Sequence, residues 1–280
     1  MAHAINLRHL IQFFRSPRKP TSAGILAVMC GRYALVKSAG ELIEEFEITT
    51  NRIPAALPAD WNIAPTREIY VIRNHGDLGN LGSNINENCR ELATLSWGMI
   101  APWSKDRSEA IRSQSQAINA RSESVHEKPT FRSAFKSRRC LIPASGYYEW
   151  ATELGKYESK QPFFIQSETE GKSLAFAGIF DRWVDPSGEV FESASIITRP
   201  AVDFLATIHN RMPTFLPVNR WDAWLDPKLN SVEEIQKLME LPEPARGLRA
   251  HPVSTRVNAT RNNGADLISE IDVSEPNTLF

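Results

Sequence analysis

The chain has little cysteine, no long apolar run and no excess of charge of either sign. Its 280 residues include three cysteines, Cys30, Cys89 and Cys140. An odd, sparse set is not a disulfide framework, and no pair has the close spacing of a structural zinc site, so no metal or cofactor is implied. A reducing compartment fits best. No stretch approaches the roughly 20 apolar residues of a membrane-spanning helix, so no membrane partner is expected. Lys and Arg number 32 against 33 Asp and Glu, a formal net charge of −1. The basic footprint of a general nucleic-acid binder is therefore missing, and contact with nucleic acid would need a local groove.

What is present suits an ordinary soluble globular protein. Hydrophobic residues make up 42%, and seven Trp and thirteen Phe can fill a large core. Residues 1–28 stand apart: they carry Arg8, Arg15, Arg18 and Lys19, no acid, and two prolines. They are expected to be a cleaved leader or to lie ahead of the true start at Met29. Runs rich in β-branched and aromatic residues recur, among them EIYVIR, ELATLSWGMI, RRCLIPASGYYEW, QPFFIQ, LAFAGIFDRW, SASIITR and RMPTFLP, and they predict strands. Helices are predicted at 38–47, 123–136, 200–207, 219–225 and 231–240, the last with Ser231 capping and Glu234 three residues on. Loops are expected at 74–91 and 104–116, and a frayed polar tail over 259–280. Strands outnumber helices and do not alternate with them. The expected fold class is therefore α+β, a mixed or antiparallel, barrel-like β-sheet core with peripheral helices, forming one domain over 29–258.

Four places hold reactive groups: Cys30 in MCGRYA, Asn119 in INARSE, Glu149 in SGYYEW and His209 in IHNRMP. Alternate residues of a strand share a face. This pairs Cys30 with Arg32, Asn119 with Arg121, and His209 with Arg211. Arginine is a forked donor suited to phosphate. Glu149 would share a face with Tyr147, opposite Tyr148 and Trp150. A carboxylate in so aromatic a strand is expected to be partly buried, a setting suited to proton transfer. Each feature also has a purely structural reading: Cys140 as a core side chain, Cys89 as a loop thiol, His75, His126 and His251 as packing or surface residues, and paired arginines as the solvated face of a strand. Spacing alone leaves a possible Cys/His/Glu enzyme.

The blocks MCGRYA, NIAP, WGMIAPW, INARSE, RRCLIPASGYYEW, PFFI, AFAGIFDRW, IITRPA, IHNRMP and HPVSTRVN follow one another in an order that resembles the SRAP family, the SOS-response-associated, abasic-site-processing proteins. The resemblance spans about residues 29–258. It implies that Met29 is removed and that Cys30, as the first residue, links covalently to the ring-opened abasic sugar in single-stranded DNA as a thiazolidine. It further implies Glu149 as a proton relay, His209 as the group that helps open the sugar and reverse the link, and Asn119 as a positioning amide. Arg32, Arg121 and Arg211 would contact phosphate, while Asn62, Pro65, Trp97 and Trp103 would line the DNA channel. The expected partner is single-stranded DNA containing abasic sites, met by a monomer in a nucleoid-associated, cytoplasmic setting.

Two competing readings stand beside this one: a cysteine peptidase or autoprotease using Cys30, and a non-covalent single-strand binder. An acylated Cys30 nitrogen cannot form a Schiff base, so the active form is expected to begin at Cys30. Intact-mass spectrometry of protein from its native source checks this, and an active form that retains residues 1–28 would overturn it.

Overall fold

The computed structural model describes residues 30–74, 89–152 and 160–273. The expectations for residues 1–28, for most of the loop at 74–91 and for His75 fall outside these residues. The strands are β1 (Tyr33–Leu35), β2 (Thr50–Asn51), β3 (Asp60–Ile63), β4 (Glu68–Asn74), β5 (Arg90–Trp97), β6 (Asn119–Arg121), β7 (Arg139–Ala144), β8 (Gly146–Trp150), β9 (Pro162–Ser167), β10 (Leu174–Val184), β11 (Val190–Pro200), β12 (Arg211–Pro213) and β13 (Leu248–Pro252). The helices are α1 (Ala39–Glu45), α2 (Arg107–Gln116), α3 (Arg132–Ser137), α4 (Trp221–Leu225) and α5 (Val232–Met239).

Strands β5, β4, β7, β10 and β11 pair antiparallel in that order, and a parallel contact of β11 with β5 closes the ring at Ser193–Ser96 and Ala194–Trp97. Short β6 runs parallel to β11, and β12 runs antiparallel to it. A second, antiparallel sheet in the order β13-β9-β8-β1-β3 packs beside the barrel. The segment RRCLIPASGYYEW joins the two: it leaves the barrel as β7 and enters the second sheet as β8, breaking only at Ser145. At that corner the Ser145 amide donates to Ala34 O at 2.8 Å, and its hydroxyl accepts from the Val36 amide at 3.0 Å. The fold class expected from the sequence, a mixed barrel-like sheet with helices around it, is the one found.

Aromatic packing ties the sheets together. Tyr33 meets Trp97 edge-on at 5.3 Å and Phe176 at 6.0 Å, and Tyr147 meets Phe176 at 6.1 Å. Tyr148, on the opposite face of β8, packs instead with Phe164, Ala34, Val253 and Val257, with Trp150 against them. The alternation read from SGYYEW therefore places these side chains correctly.

Helix starts follow their caps. Ser38 and Glu41 form a reciprocal capping box at α1, and Ser231 accepts from the Glu234 amide at α5. Four expectations need correction. Residues 104–116 are not all loop: α2 occupies Arg107–Gln116, capped by Asp106. Its sequence hid it because Ala110 and Gln114 face inward while Ile111 is 65% exposed, the reverse of the usual apolar stripe. Gly98, at φ +111°, lets α2 approach, since a Cβ there would lie 2.4 Å from Gln114 O. In place of a helix over 123–136, the α-helix there is Arg132–Ser137, and 200–207 yields a 3₁₀ turn at Asp203–Thr207. Finally, 259–273 is not frayed. Leu267 is fully buried, the Ile271 amide donates to Pro252 O at 3.0 Å, and His251 Nε2 donates to Ile268 O at 2.8 Å.

Arg139, 2% exposed, spends all five guanidinium N–H groups on carbonyls: Trp224 O, Phe135 O, Lys136 O, Asp226 O and Leu229 O, at 2.6–3.0 Å. It thereby ends α3 and α4 against β7. Arg139→Met keeps the stem but strands those carbonyls. It is expected to cost about 3 kcal/mol or more, read as a lower urea midpoint with an unchanged slope.

Candidate active site

Three buried groups from distant parts of the chain meet at one carboxylate. Glu149 comes from β8, Cys30 precedes β1, and His209 lies between the 3₁₀ turn Asp203–Thr207 and β12. They are 4%, 4% and 7% exposed. The Cys30 backbone N–H donates to Glu149 Oε2 at 3.1 Å, with Oε1 at 3.4 Å. His209 Nδ1 lies 2.8 Å from Glu149 Oε1. Asn119, at the start of β6, donates from Nδ2 to Cys30 O at 3.4 Å. The Cys30 backbone is thus held at its nitrogen by a carboxylate and at its carbonyl by an amide. Cys30 itself has φ +46°, the left-handed region that non-glycine residues avoid.

Electrostatics follow from this crowding. Burial, then the charge and hydrogen bond of Glu149, push the Cys30 thiol well above its usual range, opposed only by the charge of Arg211. The thiol is therefore protonated at neutral pH. Burial alone would lower the pKa of His209, but the hydrogen bond and charge of Glu149 outweigh it and raise the value above 6.5. His209 Nδ1 also lies 3.1 Å from the Arg211 amide. A protonated Nδ1 donates to Glu149, and only a deprotonated one accepts from Arg211, so this nitrogen has a partner in either state.

The structure brings Cys30, Asn119, Glu149 and His209 together but not by the alternation expected of strands. Cys30 and His209 lie outside strands, and Arg32 points away from Cys30. Its Nη1 donates to Asn62 Oδ1 at 2.7 Å and to Val257 O at 2.9 Å, and the guanidinium lies 5.9 Å from the Trp150 ring. Asn62 is 3% exposed and donates to Val257 O, Ala259 O and Asn262 O at 2.8–3.3 Å. These two residues clamp the C-terminal segment onto the strand that follows Cys30, which corrects the expectation that Asn62 lines a channel. Trp97 is likewise corrected: it has no exposed surface, and its Nε1 donates to Ile118 O at 3.0 Å, so it cannot stack on a base. Arg211 is 9% exposed and engages Glu123 and Thr198 rather than solvent. Arg121 and Trp103 are exposed, the latter by 56%, and Pro65 is partly exposed. Sequence reasoning missed Glu123, although it lies in the quoted INARSE block. Its partner Arg211 is 88 residues away, and no local pattern announces such a pair.

Among the described residues, no group of three or more His, Cys, Asp or Glu side chains is arranged to hold a metal ion, and no helix is long and apolar enough to cross a membrane.

Comparison with known proteins places this chain in a family. The family model of the SOS response associated peptidases (SRAP) matches residues 29–260. The abasic site processing protein YoaM of Bacillus subtilis (strain 168) is 34% identical over 241 residues, 86% of this chain and 97% of that one. The abasic site processing protein HMCES of Rattus norvegicus is 34% identical over 209 residues, 66% of this chain and 58% of that one. Among solved structures, a protein from Bacteroides thetaiotaomicron shares the fold with a TM-score of 0.71 at 23% identity, covering 86% of this chain and all 100% of its own. A protein from Bordetella bronchiseptica gives a TM-score of 0.65 at 27% identity, over 80% of this chain and 100% of its own. With a family model spanning most of its length and relatives a third identical across nearly the same span, this chain belongs to the SOS response associated peptidase (SRAP) family.

Proposed function

We propose that this chain processes abasic sites in DNA, and that it does so by forming a thiazolidine between Cys30, as first residue, and the ring-opened sugar in single-stranded DNA. The observation that carries this reading is the Glu149 carboxylate, 3.1 Å from the Cys30 nitrogen and 2.8 Å from His209 Nδ1. The names of the relatives, abasic site processing proteins, point to the same lesion.

The chemistry accounts for these residue types. A terminal α-amine has a pKa of about 7.7–8.0, so a usable fraction is neutral and nucleophilic at cellular pH. It adds to the sugar aldehyde, and Glu149 protonates the hydroxyl that leaves as water, giving the Schiff base. The thiol then adds to the imine carbon and closes a five-membered ring. The Cys30 thiol starts protonated, because burial and Glu149 disfavour the thiolate. Its proton therefore leaves as the C–S bond forms, and Glu149 accepts it. One water is released and no oxidant is needed. His209 exchanges protons through Glu149 and helps open the sugar; run backwards, the same steps release the link. Asn119 holds the Cys30 carbonyl so that the amine faces the carboxylate. Arg121, Trp103 and Pro65, which have exposed surface, are the candidates for DNA contact, Arg121 to phosphate and Trp103 to bases. We place the protein as a monomer with the chromosome.

A second reading, self-removal of the residues before Cys30, is favoured by φ +46° at that residue. Hydrolysis of the preceding peptide bond abolishes that dihedral and releases its strain. Incubating the full chain beside Glu149→Ala tests it: only a self-processing chain shortens with time.

The main test uses a single-stranded oligonucleotide with one abasic site and a denaturing gel. A heat-stable shifted band is expected, lost in Cys30→Ala and slowed about 100-fold or more in Glu149→Gln. No band from protein confirmed to begin at Cys30 would reject covalent capture. The pH dependence has a defined sign. Because Glu149 raises the His209 pKa, the imidazolium should persist above pH 6.5. The stabilisation it provides should be complete below that value and lost as pH rises through the folded-state value. An NMR titration of His209 should give a midpoint above 6.5 that falls in Glu149→Gln.

A further inference from the structure

Glu123 lies two residues beyond β6, outside the group formed by Cys30, Asn119, Glu149 and His209. Its carboxylate receives both ends of the Arg211 guanidinium: Nη1 meets Oε1, and Nη2 meets Oε2 at 3.0 Å. Arg211 Nη2 also donates to Thr198 O at 2.7 Å and to Thr198 Oγ1 at 3.2 Å. Thr198 belongs to β11, where it pairs with Arg121 of β6 on one side and Pro213 of β12 on the other. The Ser122 amide donates to the same Thr198 carbonyl at 2.8 Å. One buried point on β11 therefore fastens the two short strands that present the site: Asn119 opens β6, and His209 sits two residues before Arg211.

We propose that Glu123 is a positioning residue for the capture reaction: by holding Arg211 across β11, it fixes His209 against Glu149 and Asn119 against Cys30. The inference rests on the capture chemistry proposed above. Geometry separates this pair from an ordinary surface ion pair. The Arg211 side chain is 9% exposed and that of Glu123 48%, so loss of the carboxylate would leave a nearly buried cation without its counter-ion. The charge of that cation reaches the catalytic groups, where it acts to lower the pKa of both Cys30 and His209, and the Arg211 backbone amide lies 3.1 Å from His209 Nδ1. On its outer side Glu123 borders a cavity of about 220 Å³ lined also by Ser122, Arg199, Thr214, Gln236 and Met239. Packing on that side is therefore incomplete, and the carboxylate is held by the two Arg211 bonds together with one from its neighbour Ser122, whose Oγ donates to Glu123 Oε2 at 3.1 Å. Arg211 in turn lowers the Glu123 pKa to about 2, so the pair persists through the working pH range.

The charged and titratable groups facing His209 are Glu149 on β8 and Arg211 on β12, with the Cys30 thiol on the same carboxylate and Glu123 behind Arg211. Neutralising Glu123 leaves the positive charge of Arg211 uncompensated and loosens His209 from Glu149. Both effects lower the His209 midpoint.

The test compares the parent protein with Glu123→Gln and Glu123→Asp. His209 is titrated by NMR without DNA, covalent capture is timed on the single-abasic oligonucleotide, and affinity is measured for an intact oligonucleotide. The expected result for Glu123→Gln is a lower His209 midpoint, capture slowed about tenfold or more through misplacement, and unchanged affinity for intact DNA. Glu123→Asp, which keeps the charge and guards against simple loss of fold, should recover part of both. An unchanged midpoint would overturn the proposal, even if capture slows and the melting temperature falls, because the role would then be structural only. Tighter binding of intact DNA with an unchanged capture rate would also overturn it, since Glu123 would then merely screen Arg211 from phosphate. If the parent protein forms no covalent band, the capture reading fails by itself, and the titration alone decides whether Glu123 positions His209.

Discussion

Five strands cannot alternate in direction around a closed ring, so at least one neighbouring pair must run parallel. Here that pair is β5 with β11, and the site depends on it. Because β5 meets β11 only at Ser193 and Ala194, the rest of the β11 edge is left for another strand, and β6 takes it at Ile196–Thr198. On its other edge β11 leaves β10 near Ile196 and picks up β12 at Thr198. The closing strand therefore carries Asn119 on one flank and the segment after His209 on the other. A ring of even number could alternate throughout and would need no such parallel closure.

The second sheet supplies the remaining half of the site. β8 leaves the barrel at the Ser145 corner and turns Tyr147 into the main core, with Glu149 following on the same face. β1 lies beside β8, in register at Tyr33–Tyr147 and Ala34–Gly146, which brings Cys30 to the end of β8 that bears Glu149. The C-terminal segment then locks this arrangement. Arg32 and Asn62 both reach the Val257 carbonyl, and the Trp150 indole donates to Asn258 Oδ1 at 2.7 Å. The tail was expected to be frayed because it is polar. It is held because backbone carbonyls of the C-terminal segment accept from buried Asn62 and half-buried Arg32.

A carboxylate shared between an amide nitrogen and an imidazole explains why so few groups suffice. Each proton movement of the proposed capture passes through Glu149, and its neighbours are shifted differently: a thiol kept protonated by burial, and an imidazole whose charged form the same carboxylate favours. Such divergence among adjacent titratable groups is how acid and base roles are divided at neutral pH.

The sequence by itself determined a good deal. Apolar runs located most long strands, Ser38 and Ser231 marked two helix starts, and alternation in SGYYEW correctly separated Tyr147 and Glu149 from Tyr148 and Trp150. These are local properties, decided by period and capping within a few residues. The ordered blocks also carried the family resemblance, and with it the four residues that converge. What only the tertiary structure decided was how they converge and which neighbours are spent elsewhere. Cys30 and His209 are not in strands, so their spacing from Arg32 and Arg211 says nothing about a shared face. Trp97 and Asn62 look like surface contacts in a motif but are consumed by the core and by the C-terminal clamp. Glu123 finds Arg211 only because β6 and β12 flank the same strand. Pairings across 88 residues are set by barrel closure, and no periodicity along the chain can encode them.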